Sequence, residues 1–320
     1  SRLSFSLVFG RPLLYSLSHT LTKQLPEQLA LHTRPFTLFE LDNAIALLKQ
    51  NKAPGPDDIP NELLRFLEET NRNLLLAHFN HCIASKSVPQ QWKHAYVAAI
   101  HKGKNPAEAA NYRPISLLCT MYKLYARTLH ARLYDALDPQ LRSRQYGFRR
   151  NRSTSDPIHI VRRLQELYEV SQRPLYTLFL DWKNAFDRLT FPSLFRALHR
   201  LGVPDDFVQV ISSLYSELTF QVLDGPSKSS TFSQDSGIRQ GCPLSPYLFV
   251  LYMDTFMRDV ENDLAQNYSA TPPCTFWHGP LDGFGVRGRR STLCRLPLIR
   301  PAPVADYTIK RRGVWNATQF

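Results

Sequence analysis

The run Leu178-Phe-Leu-Asp-Trp-Lys-Asn-Ala-Phe-Asp187 decides how the rest of the chain is read. Leu175 to Leu180 reads as a strand, and its apolar density predicts burial on both faces. The chain turns polar at Asp181, at the carboxyl end of that strand. A lone aspartate there is most often a cap or a turn former. The same position also holds a carboxylate rigidly, which a pair of Mg2+ ions about 4 Å apart requires. Mg2+ prefers oxygen ligands and keeps several waters, so few protein carboxylates suffice. Five residues on, Phe186 is either a core aromatic or one presented to a ligand.

Working outward, Thr37 and Glu40 form a capping-box pair, and Leu41, Ile45 and Leu48 follow at helical spacing. That helix is expected to end near Lys52. Asn51 to Pro60, with three prolines and a glycine, is a loop. Pro60 opens a second helix, continued by Leu63, Leu64 and Leu67. A third helix over about 71–85 would bury Leu74, Leu75, Phe79 and Ile83. Tyr96–Ile100 reads as a short strand running into a polar turn at His101-Lys-Gly-Lys104. Tyr112-Arg-Pro-Ile115 leads into a long helix over about 116–137. Residues 142–152 are a basic loop, and a helix over 156–172 presents Ile158, Val161, Leu164 and Tyr168 on one face.

Beyond the deciding stretch, helices are predicted over about 190–201, with Gly202 as the stop, and over 205–219. A hairpin pairs 220–223 with 230–233 around Asp224-Gly-Pro226. A helix over 245–266 closes the well-patterned part. After residue 270 Pro, Gly and Arg dominate and periodicity is lost. The expected organisation is a flank over 1–35, an α+β body over 36–270 and an irregular tail over 271–320.

Composition agrees with a folded body, because 43% of the residues are hydrophobic and 12% aromatic. Lys and Arg number 39 against 27 acids, a formal charge of +12. Such a field favours polyanions, nucleic acid first, although an ordinary basic surface would give the same count. The densest basic stretch holds Arg142, Arg144, Arg149, Arg150 and Arg152, interleaved with Tyr146 and Phe148. Arginines grip phosphates bidentately and aromatics stack on bases, whereas a plain charge run is only solvated. The five cysteines form no CxxC pair, so neither a zinc site nor a disulfide framework is indicated. That usage fits a reducing, intracellular compartment. No apolar run reaches the ~18 residues of a membrane span. The acceptor patterns at Asn151, Asn267 and Asn316 read as chance matches. The chain starts at Ser1 in mid-pattern, which suggests a piece of a longer protein.

Five segments, in order, resemble one family. Asp181-x-x-x-Ala-Phe-Asp187 after its apolar strand resembles the first palm motif of reverse transcriptases, particularly the non-LTR (LINE-type) retrotransposon enzymes. Asn51-Lys-Ala-Pro-Gly-Pro-Asp-Asp-Ile-Pro60 resembles the segment that opens their fingers. Asn111-Tyr-Arg-Pro-Ile-Ser-Leu-Leu118 resembles their fingers motif, and Gln145-Tyr-Gly-Phe-Arg-Arg-Asn-Arg-Ser-Thr154 their template-gripping motif. Gly237-Ile-Arg-Gln-Gly-Cys-Pro-Leu-Ser-Pro246 resembles their second palm motif. One such match could be chance; five in order are specific.

The resemblance implies a right-hand polymerase fold, with helical fingers and a palm carrying a small antiparallel sheet. It implies an RNA-directed DNA polymerase that extends a DNA primer 3′-OH with dNTPs on an RNA template. Two Mg2+ ions would serve, with Mn2+ possible, and the setting would be nuclear in a working retrotransposon. Asp181 would hold both metals, with the backbone carbonyl of Trp182 beside it. Phe186 would lie under the incoming sugar and exclude a 2′-hydroxyl by repulsion. Gln240 and Gly241 would contact the nucleotide and template base, Gly241 by close backbone approach. Lys102 and Arg113 would hold the triphosphate, although Lys102 and Lys104 also read as a solvated turn. Tyr146, Phe148, Arg149, Arg150 and Arg152 would bind the template. Asp187, Asp254 and the ten histidines are expected only in surface or helix-end roles.

One part of the family pattern departs. The third palm motif, Tyr/Phe-Ala-Asp-Asp, has its nearest match in Val304-Ala-Asp-Tyr-Thr308. Asp306 would then be the second catalytic and metal-binding carboxylate. Tyr307 stands where the next Asp belongs, and Pro301 and Pro303 would spoil a central strand. The tail is therefore expected to be truncated, decayed or out of frame, with the thumb missing. Two functions follow as expectations: a working polymerase domain, or a remnant that only binds nucleic acid through 142–152. A group II intron maturase is a third, but the wording at 242–246 and the 51–60 loop are more LINE-like.

Overall fold

The computed structural model describes residues 31–103, 105–108, 111–172, 175, 177, 179, 182 and 185–267. The architecture is α+β. The chain divides into two units, Ser1–Arg258 and Asp259–Phe320, and of the second only the end of one helix is described.

The first helix, α1 (Leu38–Ala46), starts at the predicted cap. Thr37 Oγ1 accepts from Glu40 N at 3.3 Å, and Glu40 Oε2 accepts from Thr37 N at 2.9 Å. Arg132 adds bonds to both Glu40 oxygens at 2.7 and 3.0 Å. Burial works to raise the Glu40 carboxyl, but the bonds from Arg132 and Thr37 outweigh it and hold it down at about 2. α1 stops sooner than expected, because its last carbonyls find other donors. Arg65 donates to the carbonyls of Ala46 and Leu48, and Asn61 Nδ2 donates to Lys49 O at 2.7 Å. The chain is thereby freed to turn at Asn51, where φ is +55°.

The helices α2 (Asn61–Arg65), α3 (Glu69–Ser85) and α4 (Gln90–Lys93) lead into strand β1 (His94–His101). β2 (Tyr112–Leu118) returns antiparallel to it, pairing Ile100 with Arg113 and Ala95 with Leu118. The sequence reading had residues 116–118 already helical. Pro114 blocks that: it lacks an N–H and pushes Arg113 out of the helical region. β2 is an edge strand, where proline is tolerated.

α5 (Thr120–Leu137) follows and is the spine of the core. Tyr122, Leu124, Tyr125, Leu129 and Leu133 are fully buried on it. Phe79, Trp92 and Tyr125 meet mostly edge-on, with centroids 5.2 to 5.9 Å apart. After a 3-10 turn at Asp138–Gln140 come α6 (Ser155–Val170), α7 (Phe191–Arg200) and α8 (Asp205–Ser213). β3 (Leu218–Asp224), β4 (Ser227–Lys228), β5 (Phe232–Gln234) and α9 (Ser245–Asn267) complete the described chain.

The sheet order is β2-β1-β3-β4, with β5 also pairing β3. The antiparallel sheet expected from the resemblance is mixed instead. β3 runs parallel to β1, aligning Phe220 with Ala95 and Val222 with Val97. The long helical stretch between β1 and β3 permits that crossover. Of the predicted strand at 175–180, three residues are described, and these differ from the reading. Leu175, Thr177 and Phe179 are not in a strand, and Phe179 is 77% exposed. Burial on both faces needs a covering layer on each side, and the described sheet is built from β1 to β5 alone.

Candidate nucleotide and template site

The turn Gly237–Gly241 is held from below by a buried arginine. Arg239 is 2% exposed and donates to Trp92 O at 3.2 Å and Lys93 O at 2.9 Å. Its guanidinium also sits 4.9 Å from the Tyr122 ring centroid. The next residue reaches the outer edge of the sheet, where Gln240 O accepts from Ser116 N at 2.8 Å. Gly241 has φ +124°, and a Cβ there would overlap the Ser116 carbonyl oxygen. Only glycine permits this approach. The turn thus covers the open edge of β2 at Ser116.

The residues after the deciding stretch lie against the same turn. Ile238 N donates to Phe186 O at 3.0 Å, and Gly237 N donates to Leu189 O at 2.7 Å. A Cβ on Gly237 would stand 3.0 Å from Asp187 Cα. Gln240 Nε2 donates to Asp187 Oδ1 at 3.1 Å, a role for Asp187 that the sequence reading did not assign. The Phe186 ring is half-buried, 4.7 Å from Phe249 of α9 and 6.2 Å from Phe148 of the basic loop. The Trp182 ring meets Phe256 edge-on at 5.5 Å. Asp181 and Asp306, the two expected metal ligands, lie outside the described residues.

At the far end of the β1–β2 ribbon, Lys102 N donates to Asn111 O at 2.8 Å. Side chains alternate along a strand, so Lys102, Ile100 and the facing Arg113 share one side of the ribbon. Lys102 and Arg113 are both exposed there. The proline loop braces the near end. Gly55 lies against the backbone of Leu118 and Cys119 so closely that a Cβ would overlap it. Asp57 Oδ2 accepts from Thr120 N at 2.6 Å and Met121 N at 3.3 Å, capping α5 from a distant loop.

The basic loop is anchored by carboxylates. Arg149 meets both Asp138 oxygens, at 2.8 and 2.9 Å. Asp254 Oδ1 accepts from Arg142 N at 3.3 Å and Nε at 2.9 Å, and its Oδ2 accepts from Arg258 at 2.7 Å. Asp254 is fully buried, which corrects the surface or helix-end role expected for it. The signal was its place one turn after Val250 and Leu251 on an apolar helix face. Arg150 lies 4.5 Å from the Tyr134 ring centroid, and Arg152 5.8 Å from that of Tyr146. His130 also departs from its expected surface role. It sits within 6 Å of the Tyr134 and Tyr247 rings, at 5.8 and 5.3 Å. Burial, reinforced by Arg150 and Arg127, pushes its pKa down to about 4.

Among the described residues, no group of three His, Cys, Asp or Glu side chains could hold a metal ion. No helix among them is long and apolar enough to cross a membrane.

The family model for reverse transcriptase (RNA-dependent DNA polymerase) matches residues 100–271. The chain is 34% identical over 232 residues to an RNA-directed DNA polymerase from mobile element jockey of Drosophila melanogaster, covering 71% of this chain and 25% of that protein. It is 31% identical over 229 residues to a probable RNA-directed DNA polymerase from transposon X-element of the same species, covering 70% and 25%. The chain therefore spans about a quarter of the length of these curated relatives. A chain of a partial Cas6-RT-Cas1--Cas2 complex matches over 70% of this chain at 18% identity, with a TM-score of 0.39. Family model and relatives agree with the ordered motifs, and the chain belongs to the reverse transcriptase family, of the kind found in non-LTR retrotransposons.

Proposed function

We propose that residues 36–270 form the fingers and palm of a right-hand polymerase that copies RNA into DNA. The observation that carries this reading is convergence. Segments far apart in sequence meet at Gln240, which touches Ser116 of β2 through its carbonyl and Asp187 through its amide. Phe186, beside Asp187, packs toward Phe148 of the basic loop. An incoming dNTP would lie over this junction. Phe186 would exclude a 2′-hydroxyl, Gln240 and Gly241 would orient the nucleotide against its template base, and Lys102 and Arg113 would neutralise the triphosphate. Tyr146, Phe148, Arg150 and Arg152 would stack on and grip the template, with Arg149 part of the same loop.

The family works with divalent metal. Asp181, the Trp182 carbonyl and Asp306 would hold it, as two Mg2+ ions or Mn2+ in their place. Bound metal would assist attack by the primer 3′-OH and offset the charge of the leaving pyrophosphate. The residues in the described junction bind and orient instead. The partners of the proposal are RNA template, DNA primer and dNTPs, and the setting is intracellular, and nuclear where the chain is part of a working retrotransposon. Asp181→Ala tests it by primer extension and by RNA binding in parallel. The expected outcome is loss of extension with binding retained; extension that survives the substitution would contradict the assignment.

A further inference from the structure

Five arginines crowd residues 142–152, and their partners sort four of them into two kinds. A guanidinium has five N–H donors. In Arg149 each has a partner inside the protein. Nε donates to Asp138 Oδ1 at 2.8 Å, and Nη2 donates to Asp138 Oδ2 and Asp138 O, both at 2.9 Å. Nη1 donates to Arg142 O at 3.0 Å and Gln145 O at 3.3 Å. The side chain is 7% exposed, so a phosphate could take it only by breaking this set. Arg142 is bound through both backbone and side chain to the fully buried Asp254. Arg150 differs: its side chain is 55% exposed, lies over Tyr134 and, among the described residues, meets only the exposed carboxylate of Asp135, at 3.9 Å. Arg152 is exposed over Tyr146.

We propose that Arg142 and Arg149 are pins that shape the template loop, with Asp254 and Asp138 as positioning residues, while Arg150 and Arg152 face the template phosphates. The proposal rests on the template-binding reading of this loop. The pins have work to do, because Phe148 and Asn151 sit at φ +58° and +55°, in the left-handed region. A loop held this way in the free protein meets RNA without first being ordered, and affinity falls in proportion when the competent fraction falls.

The test measures single-stranded RNA binding by the full chain across a salt series, beside amide exchange in the RNA-free protein. Arg149→Lys keeps the charge and loses the fork. It is expected to weaken binding about tenfold with an unchanged salt slope, because no phosphate contact is lost. Asp138→Asn removes a negative charge, which by itself would favour RNA, yet is expected to weaken binding too. Arg150→Gln and Arg152→Gln are expected to weaken binding and to flatten the slope by roughly 0.7 each. In the free protein, both pin variants are expected to speed exchange over 142–152 while α5 keeps its protection. Unchanged exchange, wild-type affinity in Arg149→Lys, or tighter binding in Asp138→Asn would overturn the pins. Unchanged binding in the Arg150 and Arg152 variants would overturn the template face instead, and the exchange result would still decide the pins.

Discussion

At the scale of single residues, the site depends on a few positions where no substitute fits. Gly241 is one, with its φ of +124° and the Ser116 carbonyl in the space a Cβ would take. Gly241→Ala is expected to cost about 2–4 kcal/mol and to push Gln240 off the β2 edge. Thermal melting should register the first effect. Primer extension should fall by more than the loss of folded protein explains; a variant as stable and active as wild type would contradict the close approach. The sequence motif marked Gly241 as a nucleotide contact, and its approach to Ser116 could not be read there. Nor could the burial of Arg239, two residues earlier. A basic residue in a motif suggests a ligand contact, yet this one is buried against two backbone carbonyls and the Tyr122 ring. Arg149 has internal partners that were equally hidden. Sequence displays its charge but not the carboxylate at Asp138 that occupies it.

At the scale of elements, the helix start at Thr37 was legible because its cap is local, three residues wide. The start of α5 was not, since it is capped by Asp57, which lies 63 residues upstream of Thr120. β2 was hidden for another reason: it is an edge strand with Arg113 and Pro114 exposed, so it shows no apolar alternation to read. α5 carries its own titration. His130 unfolded has the ordinary pKa of 6.5, and folded it lies at about 4. Below pH 6.5 the unfolded chain binds a proton that the folded chain refuses. Stability from the neutral ring is therefore full above 6.5 and is lost as pH falls toward 4, by up to about 3 kcal/mol. Urea unfolding at pH 7 and pH 4.5 should show a larger drop for wild type than for His130→Phe. Equal drops would remove His130 from the account.

At the scale of the whole molecule, the ordered motifs were legible because each is contiguous, and their order carried the family. Their meeting point was not, since it depends on the parallel register of β1 and β3 and on the turn that closes over β2. The α+β class was readable from element types, but strand direction was not. No local pattern states whether two distant strands run the same way. The claim at this scale is that the converged motifs still form a working polymerase pocket. Tyr307, standing where the second Asp of the third palm motif belongs, is the feature of the sequence that opposes that claim. The direct measurement is extension of a DNA primer annealed to an RNA template, by the purified full chain with dNTPs and Mg2+ or Mn2+. The account predicts a DNA product complementary to the template. RNA binding through the basic loop with no product under either metal would contradict it, and would make the chain a binding remnant.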